Sequence, residues 1–170
     1  MRKEVCQCTE CGKAVESEKI LFIDEEPVCP ACIYGQTKPF EIYPIGKVRN
    51  KLSRNEKDFS LKGAGGISCI DVIPSQKRFM HKLEEERFLT IVYYFHETKY
   101  VKSTFKRGLD GKEVGVFASR TPYRLSRIGI QDVKLVKVEG TTLYVEGLDA
   151  INGSPVLDIK LGLSSLDATS

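Results

Sequence analysis

From residue 42 onward the apolar positions come in short runs, many of them alternating with polar ones, and turn residues separate the runs. Leu89-Thr90-Ile91-Val92-Tyr93-Tyr94-Phe95 is apolar on both faces, which predicts a strand with neighbours on either side. Ile42 to Arg49 and Ile67 to Ile73 are short, rich in β-branched residues and bounded by Gly, Pro or Asn, and they read as strands too. Val133 to Val138 and Thr142 to Val145 flank Glu139-Gly140-Thr141, the turn chemistry of a hairpin. Val156 to Lys160 alternates cleanly and predicts a last strand. The charged stretch Lys77 to Arg87 predicts a short helix, and Gly63-Ala64-Gly65-Gly66 a turn between strands. Many short strands at even spacing point to a mainly β chain, curled or closed into a barrel.

The first 37 residues follow a different pattern. Five of the six cysteines fall within 27 positions there, and only Cys69 lies beyond. Two Cys-x-x-Cys pairs, Cys8 with Cys11 and Cys29 with Cys32, stand 17 residues apart. Each pair lets one tight turn aim two thiolates at a single ion, so two such knuckles predict a tetrahedral zinc site. Gly12 supplies the permissive backbone after the second cysteine, and Lys19 to Ile23 with the turn Asp24 to Pro27 fits the hairpin of a rubredoxin-like ribbon. Four thiolates leave no open coordination position, so the metal is expected to be structural, supplying folding free energy to a segment with little core. Cys6 reads as an ordinary thiol near the terminus and Cys69 as a small buried hydrophobe within a strand. A boundary between Gly35 and Pro39 divides a ribbon, 1–37, from a barrel domain, 38–170.

Composition narrows the class further. At 170 residues, 41% hydrophobic and 29% charged, the chain is typical of a globular protein. Its longest apolar runs are too short to span a bilayer. The opening leads straight into cysteines, so no secretion signal, a cytoplasmic location and reduced or metal-bound thiols are expected. Charge is distributed unevenly: residues 1–35 carry −3, 36–62 carry +4, 99–137 carry +7 and 138–170 carry −4. The cation-rich middle suits phosphate or another anion, or is simply a solvated face. The acidic ribbon is poorly suited to grip nucleic acid by charge, which favours protein contact or stapling of the N-terminus.

No P-loop, Gly-x-Ser-x-Gly or dinucleotide-binding glycine motif occurs. His81 reads as solvated. His96, at the end of the strongest strand, is placed to emerge at a barrel mouth. The densest polar stretch runs from Gly115 to Gly129, with Arg120, Arg124 and Arg127, two hydroxyl residues and Tyr123, and suits a carboxylate or phosphate held in fork geometry. A second stretch runs from Gly147 to Pro155 and is followed by Asp158 and Lys160, one strand face apart by two, able to pair or to face a ligand.

These two stretches carry a resemblance. Phe117-Ala118-Ser119-Arg120, Arg124, Ile128-Gly129, then Gly147-Leu148-Asp149 and Asn152 to Lys160, with Pro44 to Arg49 and Tyr94-Phe95-His96 upstream, resemble the TsaA-like (TrmO) family across about residues 40–161. The resemblance implies a single-sheet β-barrel working as a homodimer. It also implies S-adenosylmethionine as cofactor and N6 of threonylcarbamoyladenosine beside the tRNA anticodon as methyl acceptor. It carries Phe95, His96, Phe117, Ala118, Ser119, Arg120, Ile128, Gly129, Leu148 and Asp149 over as cofactor-lining residues. It brings Arg124, Ser126, Asp158, Lys160 and His96 to the reacting groups, Arg120 or Arg124 as the carboxylate clamp and Asp158 or His96 as the proton acceptor.

The chain departs from the pattern twice. Arg124-Leu125-Ser126-Arg127-Ile128-Gly129 stands where the family has Arg-Pro-Asn-Pro-Ile-Gly, and Asp158-Ile159-Lys160-Leu161-Gly162 where it has Asp-Ile-Lys-Pro-Tyr. The ribbon is an addition to the plain barrel. Two other readings stay open: transfer to a small molecule or another RNA, and a non-catalytic module in which the ribbon docks a protein.

Overall fold

The computed structural model describes residues 4–53, 66–108 and 110–162. The chain divides into two compact units, one of residues 1–41 and 98–126, the other of 42–97 and 127–170.

The second unit is a closed six-stranded barrel. Its strands are β5 (Gly46–Arg49), β6 (Ile67–Val72), β7 (Phe88–Tyr94), β10 (Ile128–Glu139), β11 (Thr142–Glu146) and β12 (Pro155–Leu161). They hydrogen-bond in the order β10-β11-β6-β5-β12-β7, with β7 returning to β10, and every pairing is antiparallel. Burial alternates along β7 as period-two geometry requires, with Leu89, Ile91 and Tyr93 inward. Opposite them pack Val48, Ile70, Val72, Leu143, Val145 and Val156. The expected central strand, hairpin and last strand are all present, and Gly140 makes the hairpin turn with a φ of 65°.

Three details differ from the sequence-based expectation. Lys77 to Arg87 is not one helix: two 3-10 turns, Pro74–Phe79 and Leu83–Glu85, are separated by Lys82 at a φ of 60°, which no helix accommodates. His81 lies exposed between them. β5 begins at Gly46 rather than Ile42, because Pro44 has no amide to give a ladder. Cys69 is half-buried, since its position on β6 faces outward between the inward Ser68 and Ile70. Most of the glycine turn at 63–66 lies outside the described residues.

The first unit holds the ribbon: β1 (Val5–Gln7) pairs with β2 (Ala14–Glu16), β3 (Leu21–Ile23) with β4 (Glu26–Val28), and a short helix α1 runs over Pro30–Tyr34. Cys8, Ile20, Val28 and Cys29 form its small core, against which Cys6 packs from β1. Residues 98–126, grouped with the barrel in the sequence reading, belong to this unit, with β8 (Thr104–Lys106) and β9 (Glu113–Gly115) as a hairpin. What ties them is the turn Asp24-Glu25, whose two residues sit at φ 49° and 72°. That geometry matches the twist of a two-residue hairpin and suits Gly, Asn and Asp, so the strain falls on Glu25. Asp24 is held there from outside: its amide donates to Val101 O at 3.0 Å, and its carboxylate accepts the Ser103 amide at 3.1 and 3.2 Å and the Ser103 hydroxyl. A parallel bridge joins Ile23 to Val101 beside it. Among the described residues no helix is long and apolar enough to cross a membrane.

Candidate functional site

The sulfur atoms of Cys8, Cys11, Cys29 and Cys32 all lie within 4.8 Å of one another. Cys8 and Cys32 are 3.9 Å apart, as are Cys11 and Cys29. A tetrahedral ion with metal–sulfur bonds of about 2.3 Å sets its ligand edges at about 3.8 Å, so the four thiols are close to the spacing one zinc ion requires. Burial would raise the Cys8 thiol, but the amides of Cys29, Cys11 and Glu10 outweigh it and bring the group down to about 6. The Cys29 amide donates to Cys8 Sγ at 3.2 Å. Cys32 is pushed up to about 12 by its hydrogen bonds to Cys29 and Cys11. One thiol of the set thus ionises early, and the crowding of the others is what a divalent cation relieves. The Sγ of Cys6 is not part of the cluster.

The candidate residues of residues 98–126 sit on a loop that Arg124 organises. Its guanidinium donates to the carbonyls of Thr121 at 3.1 Å, Val116 at 3.1 Å and Ser119 at 2.5 Å. Arg124 therefore braces the loop and is not free to clamp an anion with those nitrogens. Ser119 adds a bond from its hydroxyl to Val116 O at 2.9 Å. Phe117 is 83% exposed, Arg120 and Ser126 are exposed, and the Ala118 carbonyl accepts Arg107 at 3.4 Å. Arg120, exposed at the tip of the braced loop, is the arginine of this loop that carries no backbone bracing.

In the barrel unit the residues separate into three places. Phe95, His96 and Gly129 gather at the end where β7 finishes and β10 begins. A Cβ on Gly129 would lie 2.6 Å from the Tyr93 ring and 2.9 Å from that of Phe95, so only glycine admits those rings, which meet edge-on with centroids 5.2 Å apart. His96 Nδ1 stands 3.4 Å from the buried Ser154 Oγ, and its Nε2 3.7 Å from Glu97. Asp158 and Lys160 lie elsewhere, on the outer face of β12 in register with Val92 and Thr90 of β7. They bond to each other at 2.6 Å, the pairing that their spacing allowed. Lys160 is six residues from the His96 level, about 20 Å along a strand. Leu148 is 1% exposed within the core, whereas Asp149 is half-buried and burial raises its carboxyl above the ordinary range. Ile128 opens β10, and ahead of it Arg127 O accepts the Phe95 amide at 2.8 Å.

Arg127 shows what the departure from the family pattern does. Its φ is 51°, and proline is held near about −65°, so the path taken here excludes the family's proline at this position rather than merely lacking it. A left-handed arginine has no composition signature, so this turn is visible only in the structure.

Within the barrel unit Phe95 and His96 stand at the end of β7 beside Gly129, and within the first unit Arg120 is an exposed guanidinium of the kind that pairs with a carboxylate. Fold and site together define a small antiparallel β-barrel protein with a four-thiol ribbon, distinct from the parallel dinucleotide-binding sheets. Residues 60–168 match the family described as the tRNA-methyltransferase O N-terminal domain, and the chain belongs to that family. It is similar to the mouse tRNA (adenine(37)-N6)-methyltransferase, 39% identical over 89 residues, a stretch that covers 51% of this chain and 21% of the mouse protein. The chain thus spans about a fifth of the length of that curated relative. An S-adenosyl-L-methionine-binding protein of Archaeoglobus fulgidus is 30% identical over 128 residues, covering 75% of this chain and 92% of that one. The crystal structure of TrmO from Pseudomonas aeruginosa shares the fold, with a TM-score of 0.60 at 24% identity over 77% of this chain and 59% of that one.

Proposed function

We propose that the chain is an S-adenosylmethionine-dependent methyltransferase that modifies tRNA at N6 of threonylcarbamoyladenosine beside the anticodon, in the cytoplasm. The observation that carries this reading is membership of the tRNA-methyltransferase O family over residues 60–168. The names of its mouse and Archaeoglobus fulgidus relatives support acceptor and cofactor respectively. When bound, the cofactor supplies an electrophilic methyl group on a sulfonium, and the protein's task is to position the acceptor nitrogen. Arg120 holds a carboxylate, because Arg124 is spent on backbone carbonyls. His96 takes the proton leaving the acceptor nitrogen, kept in orientation by Ser154. The ribbon holds one structural zinc ion through Cys8, Cys11, Cys29 and Cys32, and the working unit is a homodimer.

Calorimetric titration of the zinc-loaded protein with S-adenosylmethionine and S-adenosylhomocysteine tests the cofactor. Labelled methyl transfer to tRNA with and without threonylcarbamoyl groups then tests the acceptor. Saturable binding with transfer only to modified tRNA is expected. Binding without such transfer would move the acceptor to a small molecule or another RNA, and absence of binding would leave a non-catalytic module.

A further inference from the structure

The first unit contains a cleft of about 780 Å³ that no expected site residue lines, and the ribbon builds one of its walls. Its size falls in the usual range for ligand sites, about 300–1,000 Å³. The parallel bridge between Ile23 and Val101 sets the residues before each, Phe22 and Tyr100, side by side on one face. Both rings are open to solvent, Phe22 at 49% and Tyr100 at 56% exposure. Phe105 and Tyr123 also line the cleft, their ring centroids 6.2 Å apart, and Lys102 Nζ lies 5.4 Å from the centre of the Tyr123 ring. Lys106 is a second cation in the lining.

Carboxylates are present too, but most are engaged. Asp24 is held by Ser103 and Glu113 accepts the Thr104 hydroxyl at 2.9 Å, which fixes both in place without cancelling their charge, so the surplus of cations belongs to the segment 98–126 as a whole and not to the lining alone. Residues 98–126, which supply the lysines, carry seven Lys/Arg and two Asp/Glu. Flat exposed rings beside lysines are the elements of a single-strand nucleic-acid platform: bases stack on the rings, and the cations meet the phosphates. An acidic peptide would use the lysines but would leave the paired rings without a function. The ribbon brings Phe22 together with Asp24 and Glu25, so its share of the platform is the ring, and the cations come from residues 98–126.

From this geometry we infer that the Phe22–Tyr100 cleft binds an unpaired stretch of RNA, the ribbon serving as half of a stacking platform. The inference rests on the tRNA reading above and assigns the ribbon a part in it.

The test uses the full zinc-loaded chain and two labelled RNAs, an anticodon stem-loop and a blunt duplex of the same stem, followed by fluorescence anisotropy. The double variant Phe22→Ala/Tyr100→Ala should bind the stem-loop at least about tenfold more weakly and leave duplex binding unchanged. Tyr100→Phe, which keeps the ring, should bind as the parent does. Lys106→Gln should weaken both RNAs and flatten the salt dependence by about 0.7 in the log–log slope for one lost phosphate contact. Zinc stoichiometry and circular dichroism report on folding, and the lysine variant, which removes no packed ring, tests the cleft even if the double variant misfolds. Stem-loop affinity unchanged in both the double and the lysine variants would overturn the inference, as would equal losses for stem-loop and duplex in the double variant. So would loss of binding to a polyglutamate probe with RNA binding intact, which would make the cleft a protein-docking site. If ring-dependent binding holds while methyl transfer to tRNA is absent, the proposed activity fails and the cleft stands. If transfer occurs with ring-independent binding, the reverse is true.

Discussion

The two units of this chain are stabilised by different physics. The barrel buries fourteen residues in one core, nearly all aliphatic, and its strands form a continuous ring of hydrogen bonds. The ribbon buries four, two of which are cysteines of the sulfur cluster. Each fully buried aliphatic side chain contributes about 1.5–3 kcal/mol, so the barrel has a driving force of its own and the ribbon, with its four buried residues, has little. The first unit adds a second device, the Asp24 turn that clasps Ser103 across 79 residues of sequence. One unit is thus held by bulk burial, the other by a few directional contacts.

The largest perturbation that separates the two is at the metal. Structural zinc supplies about 10–16 kcal/mol to isolated ribbons, so chelation or Cys29→Ser should open residues 4–41 to protease while the barrel's thermal transition persists. A Cys29→Ser protein that still carries one zinc per chain would show that the ligand set is wrong. The converse is Leu89→Ala, which removes a side chain with no exposure from the middle of β7. It should cost about 2–5 kcal/mol, lowering the barrel transition in calorimetry without changing zinc content.

Asp24→Ala should be milder, about 1–3 kcal/mol, because it leaves a strained turn without its partner. Faster amide exchange confined to the turn and to residues near 103 would mark it, and unchanged exchange would mean the clasp contributes nothing. The smallest effect lies at Asp149. Burial raises its carboxyl, so its folded value lies above the unfolded one. The stability it allows is complete below the unfolded value and is lost as pH rises through the folded value. Asp149→Asn should therefore melt slightly higher than the parent at neutral pH, with the difference vanishing in acid. Equal melting temperatures at both would mean that the group stays solvated.

How much of this could be read from the sequence depended on how local the cause was. The strand at Leu89, the hairpin at Gly140 and the paired cysteines are written in adjacent residues, and each stands where the pattern places it. The charged stretch at 77–87 misled because helix-forming composition gave no warning of a left-handed Lys82. The grouping of 98–126 with the ribbon is not local at all: the bonds that draw it there span 79 residues and depend on one turn's dihedrals. Within the candidate site, composition identified arginines but not their duties. Arg124 braces its own loop, and only the structure distinguishes it from Arg120.

Closure of the barrel has a consequence for assembly. Every strand in the ring has a partner on both sides, so among the described residues none of the six is an edge strand along its whole length. The seam between β12 and β5 is the narrowest, two paired positions wide, and would be the first to open. Side chains on the outer surface, Ile130 and Val136 among them, are exposed where a second copy could meet the barrel. Contacts made there can be adjusted by single surface substitutions that leave the hydrogen-bond ring intact, and closure leaves less free edge than an open sheet of the same strands would have.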